Sequence, residues 1–576
     1  MKNDVYMMAD RLRANDGSRF KLDLNKILMI ICFIILAVTV VMPMLLVVYY
    51  TFFHGAAFDW KLFTQVVVEP QNLKATGNTV LISVLVTFAG TLVGLFFAWL
   101  LGRSDIPMKK LMRTLFAIPY MFPPFIGAIA WSILLYPRSG YINKLFMELT
   151  GSATPLFNIN SIAGIVFVEV SYYFPFVFLQ VVSALERMDP TLEESARIAG
   201  AHQFYIIRKI TLPLVIPATA AGAMLILIST ISHFGVPAML GFSVNIFTLP
   251  TKIYEIINRS SGSFEGIRQA AALSVLLVLV VIAALFVQKL VLRAGSYDII
   301  RGKSMRPMLI KLRGLKYPLL VISLVALAFI VVLPFCIIFA VGLLKAYGLP
   351  FKPENLTLAN YQYVLFHSKM AADSIKNSFL LCISTGVISM LLGVMIAYVV
   401  VKVKAKGASL LEILSLLPYS VPGLVLAIGV ILMWSGKFGI NLYNTIWIIL
   451  LAYIARYVAF AMKSAAASMQ QVHPSLEEAS RSCGASHLQS LRDITLPLIR
   501  PGMIAGFFLI FLPAMRELTT SLLLYGPYTR TLGVAIYAVN AEGNIIQSAA
   551  LSAVAIVIIL MGDLTLRYIT RDKKGR

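Results

Sequence analysis

The sequence predicts an all-α integral membrane protein with about 12 transmembrane helices in two parallel six-helix repeats. Its 576 residues are 59% hydrophobic and only 13% charged, whereas soluble domains are nearer half apolar and a quarter charged. Apolar stretches long enough to cross a bilayer recur along the whole chain. A polar segment of 28 residues occurs twice, at an offset of 284, which indicates an internal repeat.

Twelve apolar segments meet the length of about 20 residues that a membrane-spanning helix needs. Spans 1 to 6 are predicted near residues 27–51, 79–101, 113–135, 161–185, 213–239 and 270–292. Spans 7 to 12 are predicted near residues 318–343, 378–401, 412–434, 445–466, 502–524 and 547–569. The chain is therefore divided into an N-terminal segment (1–26), a first repeat (27–292), a linker (293–317), a second repeat (318–569) and a tail (570–576).

The net charge of +23 is concentrated in a few connections. Lysine and arginine cluster in the N-terminal segment, in loops 102–112 and 402–411, in the linker and in the tail. With twelve spans these regions all lie on one side, which the positive-inside rule assigns to the cytoplasm. The distribution predicts two cytoplasmic termini, and it explains the positive charge without a nucleic acid partner.

The repeated polar segment runs from Pro190 to Pro217 and again from Pro474 to Pro501, with 14 of 28 positions identical. Paired glutamates early in the segment favour the positive end of a helix dipole, and a glycine follows where a helix can end. We therefore predict a solvent-exposed helical elbow that docks to a soluble partner. Its shared residues are Glu193, Glu194, Arg197 and Gly200 in the first copy, and Glu477, Glu478, Arg481 and Gly484 in the second.

This pattern of two glutamates, an arginine and Gly-Ala ahead of Leu-Pro-Leu resembles the "EAA" cytoplasmic loop of ABC-importer permeases. We call residues 186–212 the first elbow and 467–496 the second elbow; Ser195 replaces the middle alanine in the first. The resemblance implies a type I importer fold in the bacterial inner membrane, with each elbow seated in one of two separate ATPase subunits. ATP and Mg would bind to those subunits, a substrate-binding protein would dock outside, and the fused chain would act as a pseudo-dimer without a cofactor of its own.

The repeat extends beyond the elbows at an offset of 299. Asn78, Gly94 and the Pro119-Tyr120 pair correspond to Asn377, Gly393 and the Pro418-Tyr419 pair. Since each half has an even number of spans, both halves enter from the same side, which makes the repeat parallel. The proline-rich segments 119–124 and 418–422 interrupt spans 3 and 9, where proline is expected to kink the helix.

Ionisable residues within spans are costly and are therefore candidate sites along the transport pathway. We predict that Glu169 in span 4 and Arg456 in span 10 face this pathway, with pairing between them as one hypothesis and satisfaction within each bundle as the alternative. His233 corresponds to Glu517 at the offset of 284. Together with Arg516, these two residues are predicted to line an outer gate, the alternative being charges at the membrane interface.

The segment Met515–Leu524 resembles the equivalent stretch of fused ferric-iron importer permeases, although Thr520 stands where that family usually has proline. The resemblance implies ferric iron as the first choice of substrate. 2-Aminoethylphosphonate is the next choice, and a polyamine or sulfate remains open.

No catalytic or metal-binding pattern is found in the sequence. Gly302-Lys303-Ser304 is similar to the end of a phosphate-binding loop, but Tyr297 occupies the position of the required glycine. The four cysteines show no Cys-x-x-Cys spacing. We therefore predict a transporter and not an enzyme. A secondary transporter with twelve spans is the rival class, but such a carrier needs no repeated docking elbow.

Overall fold

The computed structural model describes residues 24–55, 57–293 and 309–571. Gly302-Lys303-Ser304, the N-terminal segment up to residue 23 and the end of the tail lie outside these described residues. Helices dominate the described part, and its strands form one antiparallel pair, Phe53–His54 with Ala57–Phe58. The predicted all-α membrane fold is confirmed.

Ten continuous helices are long and apolar enough to cross a membrane. They are Lys26–Phe52, Pro70–Arg103, Ile162–Arg187, Gln203–Ile231, Phe264–Leu290, Arg313–Gly342, Lys369–Val403, Ile446–Gln470, Leu491–Met515 and Ile545–Ile569. Two further spans are bent pairs: Lys109–Met121 with Pro124–Leu135, and Ala408–Ser420 with Gly423–Trp434. These twelve elements correspond in order to spans 1 to 12.

Shorter helices connect the spans on both sides. Those of the first half are Lys61–Val68, Tyr141–Thr150, Thr191–Ile198, Gly235–Gly241 and Leu249–Arg259. Those of the second half are Ala359–Gln362, Pro474–Ser482, His487–Ser490, Ser521–Leu524 and Leu532–Ala541.

Contacts between distant chain segments show that the bent pairs act as full spans. The beginning of span 1 packs against Val399–Val403 at the end of span 8. Ile310, just before span 7, donates its N–H to the Arg103 carbonyl at the end of span 2 (2.8 Å). Both contacts join segments on the same side of the membrane if there are twelve spans. They would join opposite sides if the bent pair of span 3 turned back without crossing. The contact between Lys402, at the end of span 8, and Glu477, after span 10 (3.1 Å), would do the same if the bent pair of span 9 turned back.

The bends in spans 3 and 9 are much sharper than a proline kink. The two arms of span 3 meet at 99° and those of span 9 at 109°. Pro123 and Pro422 stand at the breaks with extended backbone, and a proline has no N–H with which to continue the helix. Each break therefore opens the helix at mid-span and exposes polar backbone to the protein interior.

Spans 5 and 11 end earlier than the sequence predicts. Their helices stop at Ile231 and Met515, whereas hydropathy extended them to residues 239 and 524. The apolar residues that follow belong to short separate helices, Gly235–Gly241 and Ser521–Leu524. Hydropathy does not distinguish a buried non-helical segment from a continuous helix, so the prediction ran through both breaks.

Spans 2 and 4, and likewise spans 8 and 10, make the most extensive helix packing in each half. A Cβ at Gly94 would lie 2.8 Å from the Val177 Cβ, and a Cβ at Gly393 would lie 2.5 Å from the Ala461 Cβ. Gly94 and Gly393 are corresponding positions of the two halves. Small residues at these positions let the membrane helices approach closely.

A Gly94→Val variant is expected to destabilise the protein by about 1–3 kcal/mol, since the added side chain must displace span 4. Gly77→Val in the same helix is the matched control, because a Cβ there meets nothing within 4 Å. Thermal unfolding of the purified variants in detergent measures the difference. Equal unfolding temperatures for the two variants would contradict the close packing.

Spans 1 and 7 each pack against the opposite half. A Cβ on Gly429 of span 9 would lie 2.6 Å from the Pro43 carbonyl oxygen of span 1. Conversely, span 7 of the second half packs against span 3 of the first half, where the ring centroids of Phe329 and Trp131 lie 4.8 Å apart. The two halves are thereby locked together, each held by the first helix of the other.

The end of the linker is attached to the first half beside the first elbow. The Asp105 carboxylate accepts hydrogen bonds from the Leu312 N–H (3.0 Å) and from the Lys316 ammonium (3.3 Å). The Leu312 hydrogen bond, followed by Lys316, lowers the pKa of Asp105. At the corresponding position the second half has Lys404, where the basic side chain lines an open cavity of about 400 Å³ instead.

Candidate functional site

The two elbows have the same helix-and-turn geometry. Each begins with a short helix, Thr191–Ile198 or Pro474–Ser482, and turns at a glycine. Gly200 has φ of +82° and Gly484 has φ of +90°. This left-handed conformation costs a side-chain-bearing residue about 1–2 kcal/mol, so both turns depend on glycine.

Glu193 of the first elbow is turned into the protein. Its side chain is 4% exposed, lies 3.7 Å from the fully buried Arg103 guanidinium and accepts a hydrogen bond from Thr211 Oγ1 (2.7 Å). Arg103 ends span 2, and Thr211 lies in the first part of span 5. One carboxylate therefore links the elbow to two spans.

Glu477 makes the equivalent contacts in the second elbow. It accepts a hydrogen bond from Thr495 Oγ1 (2.6 Å) and lies 3.1 Å from the Lys402 ammonium. Lys402 corresponds to Arg103, and Thr495 to Thr211. The contacts of Glu193 and Glu477 therefore hold each elbow against the spans of its own half.

The remaining predicted elbow residues face outward. Arg197, Arg481, Glu478 and both turn glycines are exposed, and Glu194 is half-buried. The two surfaces differ in polarity: Ile198 is 88% exposed in the first elbow, where the second elbow has Ser482. Phe204 and Tyr205 extend this exposed apolar surface of the first elbow.

A chamber of about 460 Å³ lies between the halves, at the breaks of spans 3 and 9. Both halves contribute to its wall, and its predicted pathway residues are His233, Arg456, Arg516 and Glu517. The rings of Phe234 and Tyr537, 5.7 Å apart, join the two halves nearby. The chamber is large enough for a small solute.

Glu169 and Arg456 are not partners, so that hypothesis of the sequence analysis is wrong. Glu169 is fully buried, and its Oε1 lies 2.8 Å from His233 Nδ1 of the same half. In the other half, Arg456 Nε lies 3.6 Å from Glu517 Oε2. Each ionisable side chain of these spans thus lies against a residue of the break that follows span 5 or span 11 in its own half.

The two pairs share corresponding break residues, His233 and Glu517, but their span residues differ by three positions in the alignment: Arg456 corresponds to Tyr172 and not to Glu169. In the first half the acid lies on span 4 and the histidine on the break, whereas in the second half the arginine lies on span 10 and the acid on the break. Glu517 is held further by the Tyr457 hydroxyl (3.1 Å) and the Thr520 N–H (2.7 Å). These contacts fix the wall of the chamber.

Two tyrosines face the chamber from the breaks of spans 3 and 9. Tyr120 packs edge-on against Phe176, and Tyr419 packs in the same way against Phe460, with ring centroids 5.2 and 4.8 Å apart. Arg516 reaches across from the second half, donates a hydrogen bond to the Tyr120 carbonyl and lies over the Tyr120 ring. This contact joins the halves at the chamber.

The partners that Glu193 and Glu477 have in the spans were not predicted from the sequence. Arg103 and Lys402 correspond at the offset of 299, and Thr211 and Thr495 at 284, so repeat alignment was the signal that could have found them. Within the described residues no group of three or more His, Cys, Asp or Glu side chains could hold a metal ion.

Comparison with known proteins adds a family. A family model described as "Binding-protein-dependent transport system inner membrane component" matches residues 90–294 and 389–575, once in each half. The two matches together cover more than half of the chain and include both elbows and most of the chamber.

The individual proteins that resemble this chain have low sequence identity to it. The ferric transport system permease protein FbpB of Actinobacillus pleuropneumoniae is 26% identical over 573 residues, covering 98% of this chain and 80% of its own length. The 2-aminoethylphosphonate transport system permease protein PhnV of Salmonella typhimurium is 28% identical over 220 residues, 38% of this chain and 82% of its own. A solved bacterial transporter for alginate import aligns with a TM-score of 0.39 and 19% identity over 48% of this chain and 98% of its own.

Proposed function

Because the chain belongs to the family of binding-protein-dependent transport system inner membrane components, it is the permease subunit of an ABC importer, and we propose that its cargo is ferric iron. The observation that supports iron is the ferric transport permease that matches 98% of this chain. 2-Aminoethylphosphonate is the second candidate, supported by a phosphonate permease that matches 38% of it.

The two elbows are the docking sites for two separate ATPase subunits in this proposal. Each elbow presents an exposed turn at a left-handed glycine and is held from behind by a glutamate, Glu193 or Glu477, that contacts the spans. ATP and Mg would bind to the partner subunits, and their closure would push the elbows. Since spans 1 and 7 lock the halves together, motion of an elbow would be transmitted to the breaks that line the chamber.

The elbow side is the cytoplasmic side in this proposal, and it includes both termini. The basic loops 102–112 and 402–411 support this orientation through the positive-inside rule. The substrate-binding protein would then dock on the opposite side, near the helices Gly235–Gly241 and Ser521–Leu524. No nucleic acid is involved.

Reconstitution in proteoliposomes with an ATPase subunit and a binding protein tests the proposed function. We expect uptake of radioactive iron that requires ATP and both partners. Iron uptake unaffected by excess 2-aminoethylphosphonate would support ferric iron over the phosphonate. Uptake driven by an ion gradient without nucleotide would instead identify a secondary transporter and contradict the proposal.

An Ile198→Ser variant is expected to weaken ATPase docking by about tenfold or more, since burying an isoleucine contributes about 1.5–3 kcal/mol. Ser482→Ile at the corresponding position of the second elbow is the matched variant, and it should leave docking intact or strengthen it. Co-purification of the ATPase subunit with each variant measures the effect. Equal retention of the ATPase by Ile198→Ser and wild type would contradict the contribution of Ile198.

A further inference from the structure

Arg516 differs from the other charged residues of the chamber because no carboxylate neutralises it. Its guanidinium is half-buried, donates one hydrogen bond to the Tyr120 carbonyl and lies 5.3 Å from the centroid of the Tyr120 ring. Among the described residues, no Asp or Glu oxygen lies within 4.0 Å of this guanidinium. An arginine without an ionic partner at membrane depth is costly and is a functional candidate by default.

The other ionisable groups of the chamber wall each lie against an ionisable partner, although Arg456 Nη1 is buried without a hydrogen-bond partner among the described residues. Glu517 is held by Arg456 together with a tyrosine hydroxyl and a backbone N–H. His233 is bound to Glu169, and Asp563 accepts a hydrogen bond from Arg567 (2.6 Å). The unsatisfied charge of the chamber is therefore positive.

We propose that the chamber binds an oxyanion group of the cargo through Arg516. This inference rests on the proposed transport function and specifies the chemistry of the substrate. A guanidinium has five N–H donors in a planar fork that fits a carboxylate or phosphonate in two parallel hydrogen bonds. Within the described residues, the Tyr419 and Ser232 hydroxyls line the same chamber without a protein hydrogen-bond partner, and either can donate to such an oxyanion.

The charge of the chamber restricts how iron can pass. A bare trivalent cation would be repelled by Arg516, whereas iron chelated by carboxylate or phosphate ligands presents oxyanion groups to it. A phosphonate presents the same chemistry. In this proposal the cargo that supplies the oxyanion is an anionic ferric chelate or a free phosphonate, and the two sources require separate probes.

The test uses the repeat itself as its control. Ser232 corresponds to Arg516 at the offset of 284, and both residues line the chamber. The Arg516→Ser variant removes the guanidinium, and the double variant Arg516→Ser with Ser232→Arg returns it from the opposite half. Arg530→Ser is the matched control: this arginine also lies over a tyrosine ring, 5.9 Å from the Tyr525 centroid, but is outside the chamber wall.

Equilibrium binding of radioactive ferric citrate and of 2-aminoethylphosphonate is measured on the full chain in nanodiscs, without the partner proteins. We expect wild type and Arg530→Ser to bind one of the two probes, and Arg516→Ser to bind it about tenfold or more weakly. The double variant should recover binding. The probe that binds identifies the source of the oxyanion.

Three results would overturn the proposal. The first is wild-type affinity in Arg516→Ser for the probe that binds, and the second is binding of neither probe by wild type. The third is a loss in Arg516→Ser that the double variant does not reverse, which would make Arg516 a structural link to Tyr120 alone. Failure of ATP-driven uptake by the reconstituted complex would instead count against the proposed function, since nanodisc binding requires neither ATP nor partners.

Discussion

Replacing Gly200 and Gly484 together by valine is expected to reduce ATP-driven uptake by about 100-fold or more. Both glycines have the left-handed backbone that costs another residue about 1–2 kcal/mol each. A Cβ at either position meets no atom of the chain within 4 Å. The substitution therefore distorts the turn and crowds the face presented to the partner, without an internal clash.

Uptake in proteoliposomes and the amount of chain in the membrane are measured together for the glycine variants. Gly543→Val is the matched control, because Gly543 has φ of +83° and equally open surroundings but lies in the connection between spans 11 and 12. It should retain uptake despite similar local strain. Full uptake by the double elbow variant would exclude the elbows as the coupling sites.

A Glu193→Ala variant is expected to destabilise the chain by about 3–5 kcal/mol. The Arg103 guanidinium is fully buried, and it makes no hydrogen bond in the described structure, so Glu193 is its neutralising group. Removing one partner of a buried ion pair leaves an uncompensated charge, which costs more than the pair itself contributes. The protein should unfold at a lower temperature and accumulate less in the membrane.

The second elbow should respond less to the same change. The Glu477 side chain is 20% exposed, and the Lys402 ammonium keeps a hydrogen bond to the Val472 carbonyl (3.2 Å). We expect Glu477→Ala to cost less than half as much in thermal unfolding. Glu194→Ala, which changes the neighbouring outward-facing glutamate, controls for charge removal.

A double variant separates the buried charge from the shape of the site. Replacing Glu193 and Arg103 together by leucine removes both charges and should recover much of the lost stability, because apolar residues often replace buried ion pairs without cost. Equal losses of thermal stability in Glu193→Ala, Glu477→Ala and Glu194→Ala would contradict the larger effect expected from the buried charge at the first elbow.

The sequence alone was sufficient to predict the number of spans, the two repeats and the elbows. These features depend on local properties: the length of an apolar run sets whether a helix can cross the bilayer, and a glycine such as Gly200 after an amphipathic helix predicts a left-handed turn. The alignment of the halves by fixed offsets needed no three-dimensional information.

Only the tertiary structure decided how these elements meet. The pairing of Glu169 with His233, the burial of Glu193 against Arg103 and the crossing of spans 1 and 7 each join residues far apart in the chain. The early end of span 11 and the exposure of Arg516 to the chamber have the same origin. Hydropathy measures how well a segment tolerates lipid. Which side chains pair, in contrast, is decided by the packing of several helices around a common interior. That pairing produces no periodic pattern in the sequence of any one helix.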